Sequence, residues 1–440
     1  MLRYPKPKPK PQGSMSSVDE SNHRVVNETG PLLNPNNNNN SDSDRTGSHV
    51  GMSPGPDPDW HIYHVILRLN NINVLLVFLP LGILSGLFGW NSILTSVFNF
   101  LAIIALSALV SYSADELSHY LGELAGELIN ATFGNAIELI AGIVAVSRGE
   151  IHFAQSVMIG SILSDILLVL GCSLISAAYR KHVLKFKMAV ADALSSLMII
   201  TAVALILPTV LYSTFSSSNS ASDISDKIVS FSHGTAVVLL ILYAGYLYFN
   251  MGTHSHLFTE DKGDDRSVAS DDETDNNDSS PGQQQETPNV SFFTAGMLLL
   301  GAAVGIMSCA HFLLQNIDQT SRITGMSKTF IASILIPIAS NSPEGAAVVA
   351  ASRGGDINFA IGVIVSSILQ IGLFVMPFLV VLGWVIQQPM TLNFDSFQTT
   401  ILFFAVLVVN HVLQAGKYTY IHGVMLVSLY AVIATALYTR

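Results

Sequence analysis

Two copies of one polar motif lie inside apolar runs of this chain. Each copy has an Asn, a Glu three residues later, and a polar pair that begins 23 residues after the Glu. The first copy is Asn135, Glu138, Ser161 and Ser164, and the second is Asn341, Glu344, Ser367 and Gln370. A carboxylate in the middle of a bilayer costs roughly 2.5–3.5 kcal/mol, so it normally marks a transport pathway or has a partner. Because a constant offset of 206 residues relates the copies, they predict one ion site built by two repeats.

The chemistry of these residues favours a hard cation. Asn lies on the same helical face as the Glu three residues later, so each copy offers an amide oxygen and a carboxylate to one spot. Ca²⁺ takes six to eight oxygen ligands, and the motifs contain no Cys or His for a softer metal. The same two carboxylates also bind protons. One divalent cation or two protons neutralise the pair equally well, which predicts exchange of one for the other.

Composition places these motifs in a membrane protein. Half of the 440 residues are hydrophobic, 12% are charged, and the mean hydropathy is +0.48. A soluble domain has about twice that charged fraction. The net charge is −11, and ten acids against two bases in residues 260–286 account for most of it, so nucleic acid is not an expected partner. Cys172 and Cys309 lie in apolar runs and are expected to be buried, with no cofactor.

Apolar runs long enough to cross a bilayer recur along the chain. We predict an all-α polytopic protein with eleven membrane spans. The predicted spans are 71–90, 93–112, 125–147, 153–178, 189–213, 233–251, 291–315, 329–351, 357–384, 397–414 and 418–438. The offset pairs spans two to six with spans seven to eleven, which leaves the first as an extra helix. Five spans per repeat is an odd number, so the second repeat is predicted to be inverted relative to the first.

These spans divide the chain into five regions. Residues 1–59 are rich in Asn, Ser, Gly and Pro and are predicted to form a disordered cytosolic tail. Residues 60–92 hold the extra helix, 93–251 the first repeat and 291–440 the second. The acidic residues 252–290 between them are predicted to be a solvated cytosolic linker, or else a segment that senses divalent cations.

Positive charge in the loops sets the predicted orientation. With the N-terminus in the cytosol, eight Lys and Arg residues fall in cytosolic loops and four in the opposite loops. The loop 179–188 holds four of the eight. Membrane lipid is then an obligatory partner, and a homo-oligomer is left open.

Several sequences around these motifs resemble the calcium/proton exchangers, the vacuolar branch of the cation/calcium exchanger superfamily. In the first repeat they are Asn130-Ala-Thr-Phe-Gly-Asn-Ala-Ile-Glu, Gly160-Ser-Ile-Leu-Ser and Leu167-Leu-Val-Leu-Gly. In the second they include Ser327-Lys-Thr-Phe-Ile, Pro343-Glu344 and Ser367-Ile-Leu-Gln. The resemblance runs from about residue 60 to the C-terminus and is strongest to fungal members.

The resemblance implies an antiporter that moves cytosolic Ca²⁺ into the vacuole in exchange for protons by alternating access. It implies that Glu138 and Glu344 are the essential acids. It assigns supporting polar positions to the Asn, Ser and Gln residues of both motifs and to Gln155, and an acid at the cytosolic entrance to Asp115. No enzymatic activity is expected.

Four departures from the family pattern leave alternatives open. Ser340 and Gly345 stand where the family usually has Gly and His around Glu344, and Ser366 stands where it usually has Gly. Asp165 stands where the family has Asn and is a candidate for proton coupling. The alternatives are an exchanger with altered selectivity, for example for Mn²⁺, and a transport-inactive protein that senses divalent cations through the acidic linker.

Other intramembrane residues receive structural interpretations. His311 is expected to be a satisfied histidine rather than a proton relay. Trp384 and Tyr430 are expected to anchor helices at the membrane interface. Pro337 and Pro343 are expected to interrupt the eighth span and free backbone carbonyls for a cation, with Gly134 relaxing the third span at the matching place.

Overall fold

The computed structural model describes residues 71–121, 129, 132–179, 184–185, 188–215, 221–249, 290–354, 357–414 and 417–440. The predicted tail 1–59 and the acidic linker up to residue 289 lie outside the described residues, as do five of the twelve Lys and Arg residues that set the predicted orientation. An apolar helix coincides with each of the eleven predicted spans.

The described helices, in chain order, are as follows. Helix α1 starts as a 3-10 helix, Asn71–Val77, and continues as Phe78–Leu87. The others are α2 (Ser92–Leu121), α3 (Ala136–Ser147), α4 (Ile151–Ala178), α5 (Met188–Phe215), α6 (Ala221–Leu247), α7 (Phe292–Thr324), α8 (Lys328–Gly354), α9 (Ile357–Val385), α10 (Ser396–Gln414) and α11 (Tyr420–Thr439). Among the described residues nine helices are long and apolar enough to cross a membrane, and α1 and α3 are shorter apolar helices.

Corresponding helices of the two repeats run in opposite directions. The Nζ atom of Lys328, at the start of α8, lies 3.7 Å from Oε2 of Glu150, which follows the end of α3. At the other end of the bundle, strands β1 (Leu184–Lys185) and β2 (Lys417–Tyr418) pair antiparallel. Within the described residues, these two short strands are the exception to the predicted all-α structure. They connect the α4–α5 loop to the α10–α11 loop. The predicted inversion of the second repeat therefore agrees with where the loops lie.

Helices α4 and α9 form the centre of the bundle. They are the most buried of the long helices, which fits their nearly continuous apolar sequences. Each contains a π-helical segment, Ser164–Val169 in α4 and Ile371–Val375 in α9. The two segments lie at matched positions of the repeats. Such π turns shift the helical phase by one residue and are common at functional sites.

The backbone near each glutamate differs between the repeats. Helix α3 begins at Ala136 after a break at Asn135, as the sequence predicts for the Gly134 region. Helix α8 is irregular before Pro337, where Ile331–Leu335 is a π-helical segment, but Ile336–Gly354 is one α-helix that includes Pro343. A proline leaves the carbonyl four residues earlier without its donor, and the Ser342 hydroxyl donates to the carbonyl freed by Pro343, Ala339 O, at 3.0 Å. The predicted interruption at Pro343 is therefore wrong, whereas an irregular segment does precede Pro337.

Two residues predicted as interface anchors differ in position. Trp384 is 58% exposed near the end of α9, where it stacks on His233 with 4.6 Å between ring centroids. Tyr430 is only 5% exposed in the middle of α11, so its assignment to the interface is wrong. Its side chain belongs to the core because α11 packs on the π segment of α4.

Candidate functional site

The two predicted motifs meet at the centre of the bundle. Glu138, in the first turn of α3, is 1% exposed, and its Oε1 accepts two hydrogen bonds. The Ser161 hydroxyl of α4 donates at 2.8 Å, and the Ser340 hydroxyl of α8 donates at 2.6 Å. One donor comes from each repeat. Glu138 therefore lies at the interface between the repeats, as the duplicated motif predicts.

The two Asn side chains cross between the repeats. Asn341 Nδ2 of the second repeat lies 3.1 Å from Ser161 Oγ of the first. Asn135 Nδ2 of the first repeat donates to Gln370 Oε1 of the second at 2.6 Å. Ser367 Oγ lies 3.0 Å from Asn135 Oδ1. Each Asn thus contacts the polar pair of the opposite repeat, and the network is held together by symmetry-related contacts.

Asp165 joins the two halves of this network. Its carboxylate is 6% exposed at the start of the π segment of α4. Asn341 Nδ2 donates to its Oδ1 at 2.7 Å, and Ser367 Oγ donates to its Oδ2 at 2.8 Å. A chain of hydrogen bonds consequently runs from Glu138 through Ser161 and Asn341 to Asp165.

Glu344 has a different environment from Glu138. Its side chain is partly exposed, and no side chain in the described part of the protein donates a hydrogen bond to it. It lines a small cavity of about 10 Å³ together with Asp165, Asn341 and Ser367. The remaining wall is apolar and is formed by Val169, Gly345, Val348, Val363 and Ile364. These wall residues lie toward the end of the bundle that carries β1 and β2.

The opposite side of the network is closed by backbone packing. A Cβ on Gly160 of α4 would lie 2.3 Å from the Ser333 carbonyl oxygen of α8. Beside this crossing the amide of Gln398, on α10, donates to Ser156 Oγ at 3.0 Å and to Ser333 Oγ at 2.8 Å. The polar network is therefore sealed at this end, whereas its cavity faces the other.

Three predicted positions stay apart from the network. Gln155 is buried, but its amide donates to the carbonyls of Thr391 and Asn393 at 2.8 and 3.1 Å, so it holds the loop before α10. Ser164 is buried without a hydrogen bond to the network in the described part of the chain. Asp115 is exposed near the end of α2. The structure does not bring these three side chains to the carboxylates.

The site offers oxygen atoms and no softer ligand. Carboxylate, amide and hydroxyl oxygens surround the cavity, and these are the atoms that hard cations prefer. Cys309 is buried, as predicted, whereas Cys172 is only partly buried. His311 contacts the guanidinium of Arg148 through Nε2 at 2.9 Å, so it is satisfied, as predicted.

Sequence comparison decides the family. The family model described as "Sodium/calcium exchanger protein" matches residues 91–252 and 294–439, more than half of the chain. The chain belongs to this family. The predicted membership in the exchanger superfamily is thereby confirmed.

Individual relatives agree with this assignment. The chain is 35% identical over 375 residues to the vacuolar calcium ion transporter of Schizosaccharomyces pombe. The aligned region covers 85% of this exchanger and 86% of the relative. It is 32% identical over 366 residues to the Ca(2+)/H(+) antiporter of Synechocystis sp., in an alignment that covers 83% of this exchanger and 96% of that relative. The solved structure of native YfkE superposes with a TM-score of 0.68 over 84% of this exchanger and 100% of that chain, at 24% identity, and shows the same fold. The predicted inverted-repeat fold is confirmed.

The structure explains one departure of this exchanger from the family pattern and gives another a contact. A Cβ at Gly345 would lie 3.1 Å from Val169 Cγ2, so the histidine that the family usually has here would require Val169 to move. Ser340, which replaces a family glycine, donates to Glu138. Sequence reasoning noted Ser340 as a departure and missed this contact. A polar residue at a family glycine beside an intramembrane acid was the available signal.

Proposed function

We propose that this chain is a secondary active antiporter that exchanges cytosolic Ca²⁺ for protons across the vacuolar membrane. The names of its relatives support this proposal, since they include a vacuolar calcium ion transporter and a Ca(2+)/H(+) antiporter. The observation that carries it is the convergence of the two motifs, in which Glu138 lies in the hydrogen-bonded network and Glu344, from the other inverted repeat, lines the cavity beside that network.

Electrostatics explains why such a site exchanges its ligands. No Lys or Arg side chain in the described residues forms an ion pair with either carboxylate. Two ionised carboxylates in a low-dielectric site repel each other and lose hydration, so the empty charged pair is disfavoured. A divalent cation or two protons remove this penalty. Each ligand therefore leaves most readily as the other arrives, which couples Ca²⁺ flux to proton flux.

The closed crossing and the cavity support alternating access. Gly160 and Ser333 seal one side of the network, and the cavity faces the side of the α4–α5 loop. The excess of Lys and Arg in that loop supports its placement in the cytosol, with the N-terminus there as well. In this orientation the conformation receives Ca²⁺ from the cytosol. Transport then requires the α4–α8 crossing to open and the cavity to close.

The oxygens that would bind the cation are those of the central network. We propose that Glu138, Glu344, Asn135, Asn341, Ser161, Ser367 and Gln370 surround it, and that both glutamates also carry the protons. Asn341 and Ser367 line the cavity beside Glu344. Gln155 and Asp115 would act only indirectly, because neither contacts the network.

Uptake of Ca²⁺ into vesicles tests the proposal. The purified protein is reconstituted with an acidic lumen, and uptake is compared for wild type, Glu138→Gln and Glu344→Gln. We expect proton-dependent, saturable uptake by wild type and a loss of at least about 100-fold in both variants, because each substitution removes one of the two charges that balance the cation. Glu150→Gln, an acid on a surface loop, is the matched control and should retain uptake.

The same assay addresses the transport-inactive sensor. Absence of uptake by wild type, at any proton gradient, would reject the antiporter and leave the acidic segment 252–290 as the candidate sensor. Uptake that persists without a proton gradient and does not saturate would instead indicate a channel.

A further inference from the structure

The third carboxylate of the pocket, Asp165, breaks the symmetry of the two repeats. The offset of 206 residues that relates the motifs places Ile371 opposite Asp165. Ile371 is 0% exposed in the π segment of α9 and offers no ligand atom. The acid therefore belongs to one side of the pocket only, and duplication of the site does not account for it.

Geometry places this acid beside Glu344. Both side chains line the same cavity, and Asn341 and Ser367 complete its polar wall. Glu138 is not among the lining residues and lies deeper, under Ser161 and Ser340. Among the residues that the structure describes, no three acidic, His or Cys side chains converge on one point. A cation in this conformation therefore meets two carboxylates at the cavity and the third only further in.

We infer that Asp165 is a specificity-determining residue that pairs with Glu344 to make the outer side of the pocket selective for divalent cations. This inference rests on the proposed function. Two carboxylates at the cavity balance the charge of one divalent ion before it reaches Glu138, whereas Glu344 with an amide at position 165, the residue that the family has, leaves the second balancing charge to Glu138 further in. Protein Ca²⁺ sites tune their affinity over several orders of magnitude through the number of charged ligands.

The hydrogen bonds around Asp165 make an isosteric test feasible. In Asp165→Asn the new Oδ1 still accepts from Asn341 Nδ2, and the new Nδ2 donates to Ser367 Oγ. Ser367 then gives its single hydrogen to Asn135 Oδ1, which already lies 3.0 Å away. Every partner is retained and only the charge is lost, so the variant is expected to fold.

The experiment measures Ca²⁺ uptake in vesicles and Ca²⁺ binding to the purified protein by calorimetry. For Asp165→Asn we expect the KM and the Kd for Ca²⁺ to rise roughly 10- to 100-fold, with a smaller change in Vmax. Competition by Na⁺ should strengthen relative to competition by Mn²⁺. Asp165→Glu, which keeps the charge, should remain closer to wild type. Asp318→Asn, the same change at an exposed acid in a surface ion pair with Lys328, is the matched control.

A KM and Kd within twofold of wild type, with unchanged competition, would overturn the inference while leaving the antiporter intact. If wild type transports nothing, the proposed function fails, and the calorimetric Kd still decides the role of Asp165. If Asp165→Asn does not fold, the role of Asp165 can be tested by chemical modification of the wild-type protein. Ca²⁺ should then protect Asp165 and Glu344 from a carboxyl-reactive carbodiimide over the same concentration range, and protection of Glu344 alone would overturn the inference.

Discussion

The two glutamates occupy equivalent positions in sequence but different environments in the folded protein. Glu138 is enclosed and accepts hydrogen bonds from two serines, while Glu344 faces a cavity and has no such donor in the described residues. One of the two missing donors is Ser367, which corresponds to Ser161 but donates to Asp165 instead. The other is absent from the sequence. Ser340, which donates to Glu138, corresponds by the repeat offset to Gly134, which has no side chain to donate. Among the described residues, a Cβ at Gly134 would meet only Glu344 Oε2, at 4.0 Å.

A second contrast concerns the helix crossings on either side of the pocket. Gly160 lets α4 and α8 touch through their backbones, and its counterpart in the second repeat is Ser366. Ser366 is partly exposed and lies 3.3 Å from the Tyr246 hydroxyl. The position that brings two helix backbones together in the first repeat therefore carries a hydroxyl in the second. Together the two contrasts mean that single residues at matched positions make an inverted pair of repeats asymmetric.

The broadest effect, on both stability and transport, is expected from Gly160→Ser, which places at the α4–α8 crossing the residue found at the matched position of the second repeat. The added Cβ would lie 2.3 Å from Ser333 O, so α4 and α8 must separate. Overpacking of this kind costs about 1–3 kcal/mol or more. We expect a lower thermal unfolding temperature and at least about a tenfold loss of Ca²⁺ uptake. Gly362→Ser in α9, where an added Cβ has no described residue within 4 Å, is the control. Equal behaviour of the two variants would contradict a closed crossing at Gly160.

The next effect is expected from removing both hydroxyls that donate to Glu138. Hydrogen bonds to a charged group contribute about 1.5–3 kcal/mol each. Without them the buried carboxylate is neither oriented nor stabilised in the ionised form that a cation requires. We therefore expect the KM for Ca²⁺ to rise about 100-fold in Ser161→Ala with Ser340→Ala, and about tenfold in Ser340→Ala alone. Ser308→Ala, on the exposed face of α7, should have no effect. An unchanged KM in the double variant would show that these donors are dispensable.

The converse substitution, Gly134→Ser, should make the two glutamates more alike. The described residues leave space beside Gly134, and the new hydroxyl would lie within reach of Glu344. One added donor to a partly exposed carboxylate is worth about 1 kcal/mol, so we expect the KM for Ca²⁺ to fall by roughly fivefold. The measurement is vesicle uptake against Ca²⁺ concentration, with Gly134→Ala as the variant that adds a Cβ without a donor. The asymmetry would be without functional weight if Ser and Ala gave the same KM.

Much of this arrangement could be predicted from the sequence because repetition and hydropathy are both local signals. The duplicated Asn-x-x-Glu motif, with its polar pair at a fixed distance, located the network. The eleven apolar runs gave the helices. The break before α3 also followed from Gly134, since glycine is a poor helix former.

The remaining features depend on contacts between distant parts of the chain. Gln155 looks like a site residue by its position on α4, but the loop at Thr391 and Asn393 captures its amide. Pro343 was expected to break α8, and Ser342 instead satisfies the freed carbonyl. Tyr430 was predicted to be an interface anchor, but it is buried because α11 packs against α4, a contact that the sequence does not show. None of these partners can be identified from spacing alone.

The smallest effect concerns an ion pair that only the second repeat has. Asp395, before α10, accepts hydrogen bonds from Arg440 at the end of the chain, and its counterpart in the first repeat is Ala189. The hydrogen bond from Arg440 lowers the pKa of Asp395 below its ordinary value. A depressed pKa stabilises the folded protein above the unfolded-state pKa of about 3.9 and loses that contribution as pH falls through the folded-state pKa. Because both side chains are partly solvent-exposed, the pair contributes at most about 1 kcal/mol.

We expect Asp395→Asn and Arg440→Gln to lower the thermal unfolding temperature slightly at pH 7, with no further loss in the double variant. The difference from wild type should shrink below about pH 4. A difference that persists unchanged in acid would mean that the two side chains stabilise the protein by packing rather than by charge.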